Sequence, residues 1–484
     1  MKAKKLLCLT VPHQSRMKTF EKNRVFYFPL GLAYIIQAIE RELSDYHIDI
    51  LDFNFESFEK KTLRDFISKT YDDGQLPEYV MFGAMSTNYK AVKTLTQMIK
   101  SVNPNLKIIC GGSVSTLHSK YLLEHLGIDI CVLGEGEETI IELLENQNNL
   151  ANVQGVAFLD KIKNYIQIPG RQRTNNIIFD YTVYKRFNIE GYIERLSLRA
   201  AGIRSFMVHV ARGCFYDCSF CYRPYGSKMF YRPVKDAVNE LLWLKENYNI
   251  NHFSLNYELM WDKKWIRGFA ESLIEKSVKM TWNAGARVNE YSDKDYELLC
   301  LMKKSGLLRM AFGMESASKK ILTNMGKTGV TAKASEDTIR LFRNVGIKPC
   351  ASIVMGFPGE NKETMGETVK FLRKNLLTMK NFFILQPFPG TPVYENYVKE
   401  KVSEEEWLEN YAHDGDASNL QINLTELSDE EFHKHLRKAE KQVQSQSIYH
   451  WFRYYKISEI PEQGLIDLYR YIKMKFTGAH FGTP

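Results

Sequence analysis

Cys214, Cys218 and Cys221 stand close together in one run with the spacing C-x3-C-x2-C. This spacing supplies three thiolates and no fourth. A four-iron cluster held by three cysteines keeps one iron free to bind another molecule, and chemistry at a cluster requires such an open iron. The run therefore predicts a catalytic 4Fe-4S cluster.

Three other interpretations of this run are weaker. A structural zinc site needs four ligands, usually in two pairs, and no second pair follows within reach. A ferredoxin is a short chain with a full set of cluster ligands, whereas this chain has 484 residues. A disulfide framework is disfavoured because the other cysteines occur singly in apolar stretches typical of a buried core. These are Cys8, Cys110, Cys131, Cys300 and Cys350.

The run resembles the signature of the radical S-adenosylmethionine (SAM) enzymes, including the aromatic Phe220 before the last cysteine. The resemblance implies that the open iron chelates the amino and carboxylate groups of SAM. It also implies that one electron, from a donor such as flavodoxin or ferredoxin, cleaves SAM to methionine and a 5'-deoxyadenosyl radical. Because such a radical attacks any C–H bond it meets, the protein must enclose it in a dry cavity.

The elements around the cysteines alternate between strand-like runs and helical patterns. This alternation over residues 204–400 predicts a partial, TIM-like (β/α)6 barrel, with the active site at the carboxyl ends of its strands. The predicted strands are 205–210, 252–256, 280–284, 309–313, 349–355 and 382–386.

Polar residues after these strands match positions that bind SAM in the family. Gly313-Met314-Glu315-Ser316 follows the family's Gly-x-Glu-Ser form, and Arg287 could pair with the methionine carboxylate by a bidentate contact. Glu258 follows the second predicted strand, in a segment that departs from the family's usual form. The residues that the resemblance assigns to SAM are Phe220, Tyr222, Glu258, Arg287, Glu315 and Ser316.

The first 150 residues show five short apolar strands with helical patterns between them, which predicts a doubly wound parallel sheet. Ligands of such sheets bind at the carboxyl ends of the strands. The segments at those ends are rich in glycine, hydroxyl and amide groups, which allow a flat ligand to approach the backbone and bond its polar rim.

These segments together are similar to the cobalamin-binding domain that precedes the radical SAM domain in one large subfamily. The residues that this resemblance assigns to cobalamin are Leu30, Gly31, Ser86, Thr87, Asn88, Gly111, Gly112, Ser113, Gly134, Glu135 and Gly136. The Asp-x-His-x-x-Gly motif that supplies a histidine ligand to cobalt in some cobalamin proteins is absent, and His13 lacks that context. We therefore expect cobalamin to bind without a histidine ligand.

The remaining segments connect or follow these two domains. Residues 151–203 predict a β-hairpin and a linker, and residues 401–484 predict a helical region with a helix start at Ser428. The aromatic stretch from Ile448 to Tyr455 could form a lid, pack on the barrel or contact a lipid surface.

Composition narrows the setting. No stretch has the ~18 apolar residues of a transmembrane helix. Cysteines beside an oxygen-labile cluster favour the cytoplasm. The net charge of +8 comes from basic residues interleaved with acidic ones, so no nucleic-acid partner is indicated.

These observations predict a cobalamin-dependent radical SAM enzyme that methylates an unactivated carbon. The alternatives are a cyclase, a ring-contraction enzyme or a C–C bond-forming enzyme of the same architecture, or a non-catalytic iron-sulfur protein. A methylthiolating enzyme of nucleic acid is disfavoured because no second cysteine trio is present. The substrate stays open among peptides, lipids, sugars and other natural products.

Overall fold

The computed structural model describes residues 3–12, 27–171, 177–197, 202–259, 261–377, 380–412 and 420–454, without the side chains of 256–259, 380–381 and 444–454. The chain forms two compact units. The first contains Met1–Arg195, Pro224–Gly226 and Lys399–Gly415. The second contains Leu196–Arg223, Ser227–Val398 and Asp416–Pro484.

The observed strands lie close to the positions predicted from the sequence. In chain order they are β1 Lys4–Leu9, β2 Tyr46–Leu51, β3 Tyr79–Gly83, β4 Lys107–Gly111, β5 Ile130–Val132, β6 Val156–Leu159, β7 Tyr165–Gln167, β8 Ser205–Val208, β9 Ala211–Arg212, β10 Phe230–Tyr231, β11 His252–Leu259, β12 Thr281–Ala286, β13 Leu307–Glu315, β14 Lys348–Met355 and β15 Lys380–Ile384.

The helices fill the intervals between the strands. In chain order they are α1 Leu30–Glu42, α2 Lys60–Thr70, α3 Tyr89–Val102, α4 Ser113–His125, α5 Glu137–Glu145, α6 Ile189–Leu196, α7 Val234–Tyr248, α8 Lys263–Glu275, α9 Tyr296–Lys304, α10 Lys319–Asn324, α11 Ala332–Val345, α12 Lys362–Lys374, α13 Pro392–Tyr397, α14 Glu404–Glu406 and α15 Asp429–Tyr454. None of the described helices is long and apolar enough to cross a membrane.

The first unit is built on one sheet with the strand order β2-β1-β3-β4-β5-β6-β7. Strands β1 to β5 pair in parallel, which confirms the doubly wound sheet. The predicted hairpin, β6 and β7, extends the sheet with antiparallel pairs. In β1 the residues Leu6–Leu9 are fully buried, as expected for a strand covered by helices on both faces. Because β1 lies between β2 and β3, the strand order reverses there, and ligands of such sheets bind at that switch point.

The second unit is built on six parallel strands that are adjacent in chain order, from β8 through β11, β12, β13 and β14 to β15. This open sheet with its covering helices confirms the predicted partial barrel. One prediction needs correction: Glu258 lies inside β11 and does not follow the strand. The register of β11 shifts between Ser254 and Leu259, so the strand continues past the irregularity to Leu259.

The C-terminal helix α15 begins directly after Ser428, at the predicted helix start. The Ser428 backbone N–H donates to a Glu431 carboxylate oxygen at 3.2 Å, and the Glu431 N–H donates back to the Ser428 hydroxyl at 3.3 Å. This reciprocal pair caps the helix. Phe432, Leu436 and Ala439 form a buried apolar stripe on α15, and α15 packs against α12. The aromatic stretch 448–455 lies outside the residues whose side chains are described, so its role stays a prediction.

A late segment of the chain belongs to the first unit. His118 on α4 is buried, its Nδ1 lies 2.8 Å from a Glu404 carboxylate oxygen, and its ring stacks on Trp407 with centroids 5.7 Å apart. The carboxylate of Glu409 accepts a hydrogen bond of 2.8 Å from the Tyr89 hydroxyl on α3. Glu404, Trp407 and Glu409 were predicted to belong to the C-terminal helical region, and their packing on the first unit was not predicted.

Candidate active site

The three cysteines share one loop in the second unit, which begins directly after β9 at Gly213 (φ +98°). Cys214 and Cys218 are half-buried. Burial raises the pKa of the Cys218 thiol. Although Cys221 is exposed as a residue, desolvation around its sulfur raises the pKa of that thiol to about 11, and the neighbouring Cys218 and Cys214 add to the shift.

A four-iron cluster requires a different arrangement of ligands from a single metal ion. Within the described ranges, no three His, Cys, Asp or Glu side chains converge closely enough to hold one metal ion. In a four-iron cluster each cysteine binds a different iron, so the ligands stand farther apart than they do around zinc. Thiols with raised pKa values stay protonated until a metal draws the thiolate, which suits a site completed by its metal.

The cysteine loop is anchored on the turn that follows α10. The Ser219 backbone N–H donates to the Met325 carbonyl at 3.0 Å, and the Ser219 hydroxyl donates to the Asn324 carbonyl at 3.1 Å. A Cβ added to Gly326 (φ +68°) would lie 2.9 Å from the Asp217 carbonyl oxygen. Glycine at this position therefore allows the close approach of the two backbones.

Phe220 anchors the other side of the loop. Its ring lies edge-on to Phe357, with centroids 6.1 Å apart, and it packs against a buried cluster. The cluster residues are Ile321, Met325, Val354, Phe357, Leu385 and Val393. The side chain of Phe220 thus fixes the loop, which leaves its backbone for the predicted SAM contact. Tyr222 is half-buried on the same loop. The side chain of Glu258 lies outside the described residues.

Glu315 is the last residue of β13 and is buried. Its φ of +62° lies in the left-handed region, which side-chain-bearing residues rarely adopt and which is held mainly at functional sites. One carboxylate oxygen accepts a 2.8 Å ion-pair hydrogen bond from the Lys327 ammonium, which also donates to the Gly313 carbonyl at 2.8 Å. A Cβ at Gly313 would lie 2.7 Å from that carboxylate oxygen, so the glycine of the Gly-x-Glu-Ser form makes room for the pair.

Ser316, the next residue, is held by its own turn and by α12. Its hydroxyl lies 3.1 Å from the Thr368 hydroxyl and accepts a hydrogen bond of 3.1 Å from the Ser318 N–H. These contacts hold the turn behind Glu315. The prediction that Ser316 itself contacts SAM stays a prediction.

Arg287 follows β12, and its side chain is joined to the same region. Nη2 donates to the Thr328 carbonyl at 2.7 Å, and the guanidinium centre lies 4.0 Å from the centroid of the Tyr216 ring on the cysteine loop. Its Nε is buried and has no hydrogen-bond partner among the described residues. A buried, unsatisfied N–H donor is costly, and a carboxylate ligand would satisfy it.

Two further residues of this site were not predicted. Lys327 pairs with Glu315, and Glu290, buried in the loop after β12, accepts the Arg287 backbone N–H at 3.0 Å. Burial raises the pKa of Glu290 to about 7. Glu290 helps to line a cavity of 410 Å³ with Tyr216, Trp261, Asp262, Lys263 and Asn289. A signal for Glu290 was available in the sequence, because it stands three residues after Arg287 in the same predicted loop.

In the first unit, the structure brings the predicted cobalamin segments together at the carboxyl ends of β3, β4 and β5. Ser86, Thr87 and Asn88 form a buried 3₁₀ turn after β3. The Ser86 N–H donates to the Ser113 hydroxyl at 3.0 Å, which joins this turn to the start of α4. The Gly134 N–H donates to the Thr116 hydroxyl at 3.0 Å, which joins the loop after β5 to α4.

This edge has the properties that a flat, amide-rich ligand requires. A Cβ added at Gly31, Gly111 or Gly134 would meet no atom within 4 Å, so the backbone there faces open space. The Asn88 side-chain oxygen is buried and accepts no hydrogen bond within the described part of the chain, which leaves an acceptor for a ligand amide. Leu30 and Gly31 open α1, while Glu135 and Gly136 precede α5. His13 lies outside the described residues.

Gly112 differs from its neighbours in this set. Its φ is +84°, and an added Cβ would lie 2.3 Å from the Ala84 carbonyl oxygen. The glycine is therefore required by the packing of the α4 start on the end of β3. Gly136 is also close-packed, because an added Cβ would lie 3.0 Å from the Ile35 side chain.

Comparison with protein families matches two separate ranges of the chain. Residues 208–372 match the radical SAM superfamily, and residues 22–144 match the B12 binding domain. The chain therefore carries the pair of domains found in radical SAM enzymes with a cobalamin-binding domain, which confirms the predicted resemblance. The predicted cofactor classes are confirmed with it: a 4Fe-4S cluster and SAM for the radical SAM domain, and cobalamin for the B12 binding domain.

Among curated proteins, the chain is similar to an uncharacterised methyltransferase of Pyrococcus horikoshii, with 28% identity over 82% of this chain and 83% of that protein. It is also similar to the anaerobic magnesium-protoporphyrin IX monomethyl ester cyclase of Cereibacter sphaeroides, with 27% identity over 76% of this chain and 60% of that protein. The similarity thus extends to both a methyltransferase and a cyclase.

Among solved structures, the chain is similar to the radical S-adenosylmethionine methyltransferase TsrM from Kitasatospora setae, determined with cobalamin and a [4Fe-4S] cluster bound. The TM-score is 0.64, the identity is 18%, and the match covers 81% of this chain and 74% of that one. At this identity the likeness supports the fold.

Proposed function

We propose that this protein is a cobalamin-dependent radical SAM methyltransferase that acts on an unactivated carbon of its substrate. The observation that carries the proposal is the site at the end of the barrel, where a three-cysteine loop is tied to buried Glu315 and Arg287. A cobalamin-binding domain in the same chain supplies the second half of the argument. The name of the Pyrococcus horikoshii relative agrees with it.

Arg287 and Glu315 are proposed to bind different groups of SAM. Arg287 has a buried Nε donor available for the methionine carboxylate, and Glu315 offers a carboxylate to the amino group. Both side chains are buried, so few water molecules weaken these contacts. When bound, the cluster supplies an electron to SAM and the corrinoid supplies a methyl carrier. Phe220, Tyr222 and Ser316 are proposed to complete the SAM site.

Product stoichiometry tests this proposal. Purified, reconstituted enzyme would be incubated without oxygen with dithionite or reduced flavodoxin, cobalamin, SAM carrying a ¹³C methyl group, and fractionated extracts. Hydrogen abstraction consumes one SAM and remethylation of the corrinoid consumes another. We therefore expect 5'-deoxyadenosine and S-adenosylhomocysteine in roughly equal amounts, with a product heavier by one labelled methyl group.

A cyclase is the second candidate, favoured by the similarity to the magnesium-protoporphyrin monomethyl ester cyclase. A cyclase or rearrangement enzyme of this architecture would form 5'-deoxyadenosine during turnover without S-adenosylhomocysteine and without a methylated product. That outcome would replace the methyltransferase proposal. Absence of any SAM cleavage would instead indicate a non-catalytic iron-sulfur protein.

The setting of the reaction is also a proposal. The predicted oxygen-labile cluster suits the reducing cytoplasm and an electron donor such as flavodoxin or ferredoxin. The substrate stays open among peptides, lipids, sugars and other natural products. The labelled-methyl experiment names the substrate class directly, because the label marks the fraction that contains it.

A further inference from the structure

A groove with a volume of about 530 Å³ lies between α12 and α15 in the second unit. One face of each helix forms a wall, because the lining positions recur every three or four residues. The lining residues are Lys362, Met365, Gly366, Val369, Lys370, Arg373 and Lys374 on α12, and His435, Lys438, Ala439 and Gln442 on α15. None of the residues described at the candidate active site lines this groove. It is therefore a separate feature of the outer helical layer.

The groove is strongly basic. Five of its eleven lining residues are lysine or arginine, and none is acidic. The acidic residues of α12, Glu363 and Glu367, lie outside the lining. Because like charges on neighbouring positions of a helix repel one another, this distribution is unfavourable unless an anion compensates it.

Two of the five cations have a partner within the chain. Lys362 pairs with Glu431 at 3.2 Å, and Lys374 pairs with Glu336 at 2.8 Å. The other three have no carboxylate within 4.0 Å in the described ranges, and they are Lys370, Arg373 and Lys438. Lys370 and Arg373 are separated by about 4.5 Å along the axis of α12, and Lys438 lies on the opposite wall. One anionic group can therefore be contacted from both walls.

Gly366 keeps the middle of the groove open. It stands in the interior of α12, where glycine is the least favourable residue after proline. Packing within the described part of the chain does not require a glycine here, because an added Cβ would meet no atom within 4 Å and φ is not positive. Below this opening, Met365, Val369 and Ala439 are buried and form an apolar floor. The missing side chain thus leaves space for a ligand above an apolar surface.

The volume, the floor and the charge together favour one class of ligand. The volume is within the range of roughly 300–1,000 Å³ that is typical of small-molecule sites. Arginine and lysine bind phosphate by charge-assisted hydrogen bonds, and the floor suits a hydrocarbon group. Because the floor is buried below the cations, a flat surface such as a bilayer would contact the cations only. We propose that this groove binds a phosphorylated small molecule with an apolar body. The site does not depend on the reaction at the cluster.

Isothermal titration calorimetry of the reconstituted full-length protein at constant ionic strength tests this with three probes. Geranyl diphosphate carries both an apolar body and phosphate groups, whereas inorganic pyrophosphate and geraniol carry one feature each. Geranyl diphosphate is expected to bind about tenfold more tightly than either of the other two. Lys370→Gln combined with Arg373→Gln should weaken its binding by about tenfold. The matched control is Arg437→Gln combined with Lys441→Gln, which removes the same charge from exposed positions of α15 outside the groove.

A second variant fills the groove and keeps every charge. Because the space at Gly366 is open and leucine favours a helix, Gly366→Leu should not lower the melting temperature, but it should weaken geranyl diphosphate binding by about tenfold. If the charge variant fails to fold, Gly366→Leu alone decides.

Several results would overturn the proposal. They are equal affinities for geranyl diphosphate and pyrophosphate, unchanged binding in either groove variant, or an equal loss in the control. Binding of phosphatidylcholine vesicles that contain phosphatidate, without binding of geranyl diphosphate, would instead indicate a membrane surface and would also overturn it. None of these affinities depends on SAM cleavage or on a methylated product, so this proposal and the proposed function fail separately.

Discussion

The two predicted ligand-binding edges of this chain differ in the chemistry of their residues. At the end of the first sheet, Gly111, Gly134 and Asn88 present open backbone and an uncharged acceptor. At the end of the barrel, Glu315, Lys327 and Arg287 are buried charges held in pairs and stacks. The difference teaches that the first edge depends on shape and the second on charge, so substitutions should act on each by a different physical route.

The largest expected effect concerns the three thiolates. Replacing Cys214, Cys218 and Cys221 together with Ala should abolish the visible absorption of the cluster and all SAM cleavage, because it removes the three thiolates that are predicted to bind the irons. Cobalamin binding should persist, because its predicted residues lie in the other unit. Iron analysis, absorption spectra and corrinoid titration measure both. A full cluster in this variant would refute the assignment of the three cysteines as its ligands. Loss of corrinoid binding would show that the two binding edges are not independent.

The next effect is on SAM placement. Glu315→Ala removes a buried carboxylate at a strained position and should lower 5'-deoxyadenosine formation by about 100-fold, since a misplacement of ~1 Å can cost that much in rate. Quantitative chromatography of deoxyadenosine checks this. Glu426→Ala, which removes a half-exposed carboxylate that also pairs with a lysine, is the control and should have little effect. Equal losses in the two variants would contradict a specific role for Glu315.

A pair of glycines tests the shape-dependent edge. Gly112→Ala would place a Cβ 2.3 Å from the Ala84 carbonyl at a positive φ, and should lower the free energy of unfolding by about 1–3 kcal/mol. Gly111→Ala meets open space, so it should change that free energy by less than about 0.5 kcal/mol while weakening cobalamin binding. Denaturant titration and corrinoid binding measure the two effects. Identical behaviour of the two variants would remove the distinction between packing and ligand contact.

The smallest effect concerns a carboxyl group on α15. Burial raises the pKa of Glu440 to about 7, so between its ordinary range and pH 7 the unfolded chain ionises while the folded chain does not. The protein therefore loses stability as pH rises through this window. Glu440→Gln does not titrate and should be more stable relative to the wild type at pH 8 than at pH 5, by on the order of 1 kcal/mol. A difference that is the same at both pH values would count against this.

Much of the fold could be predicted because its signals are local. Each strand of both sheets is a short apolar run, and the cysteine spacing is complete within eight residues of sequence. The apolar stripe of helix α4 is weak in the sequence because the helix buries small polar residues such as Ser115 and Ser119 as well as apolar ones. The place of Glu258 was misjudged because a register shift inside β11 has no sequence signature.

The charged part of the site was harder to predict. Lys327 lies beside the cysteine loop only because its turn is hydrogen-bonded to Ser219, more than a hundred residues earlier, and such contacts leave no periodic trace in the sequence. The roles of Arg287 and Glu315 came from resemblance to a family, and the structure adds their partners. The open space at Gly111 and the crowding at Gly112 could likewise not be predicted, because the sequence shows only two consecutive glycines.

The return of residues 399–415 to the first unit has a consequence for biosynthesis. Chains emerge from the ribosome from the N-terminus, and domains generally fold as units in that order. Here the first unit lacks Trp407 and Glu409 until all six strands of the barrel have been synthesised. The first unit is therefore synthesised first, but its packing is completed only after the barrel has been synthesised. A nascent chain halted before residue 399 would expose the face of α4 that carries His118 to chaperones and proteases.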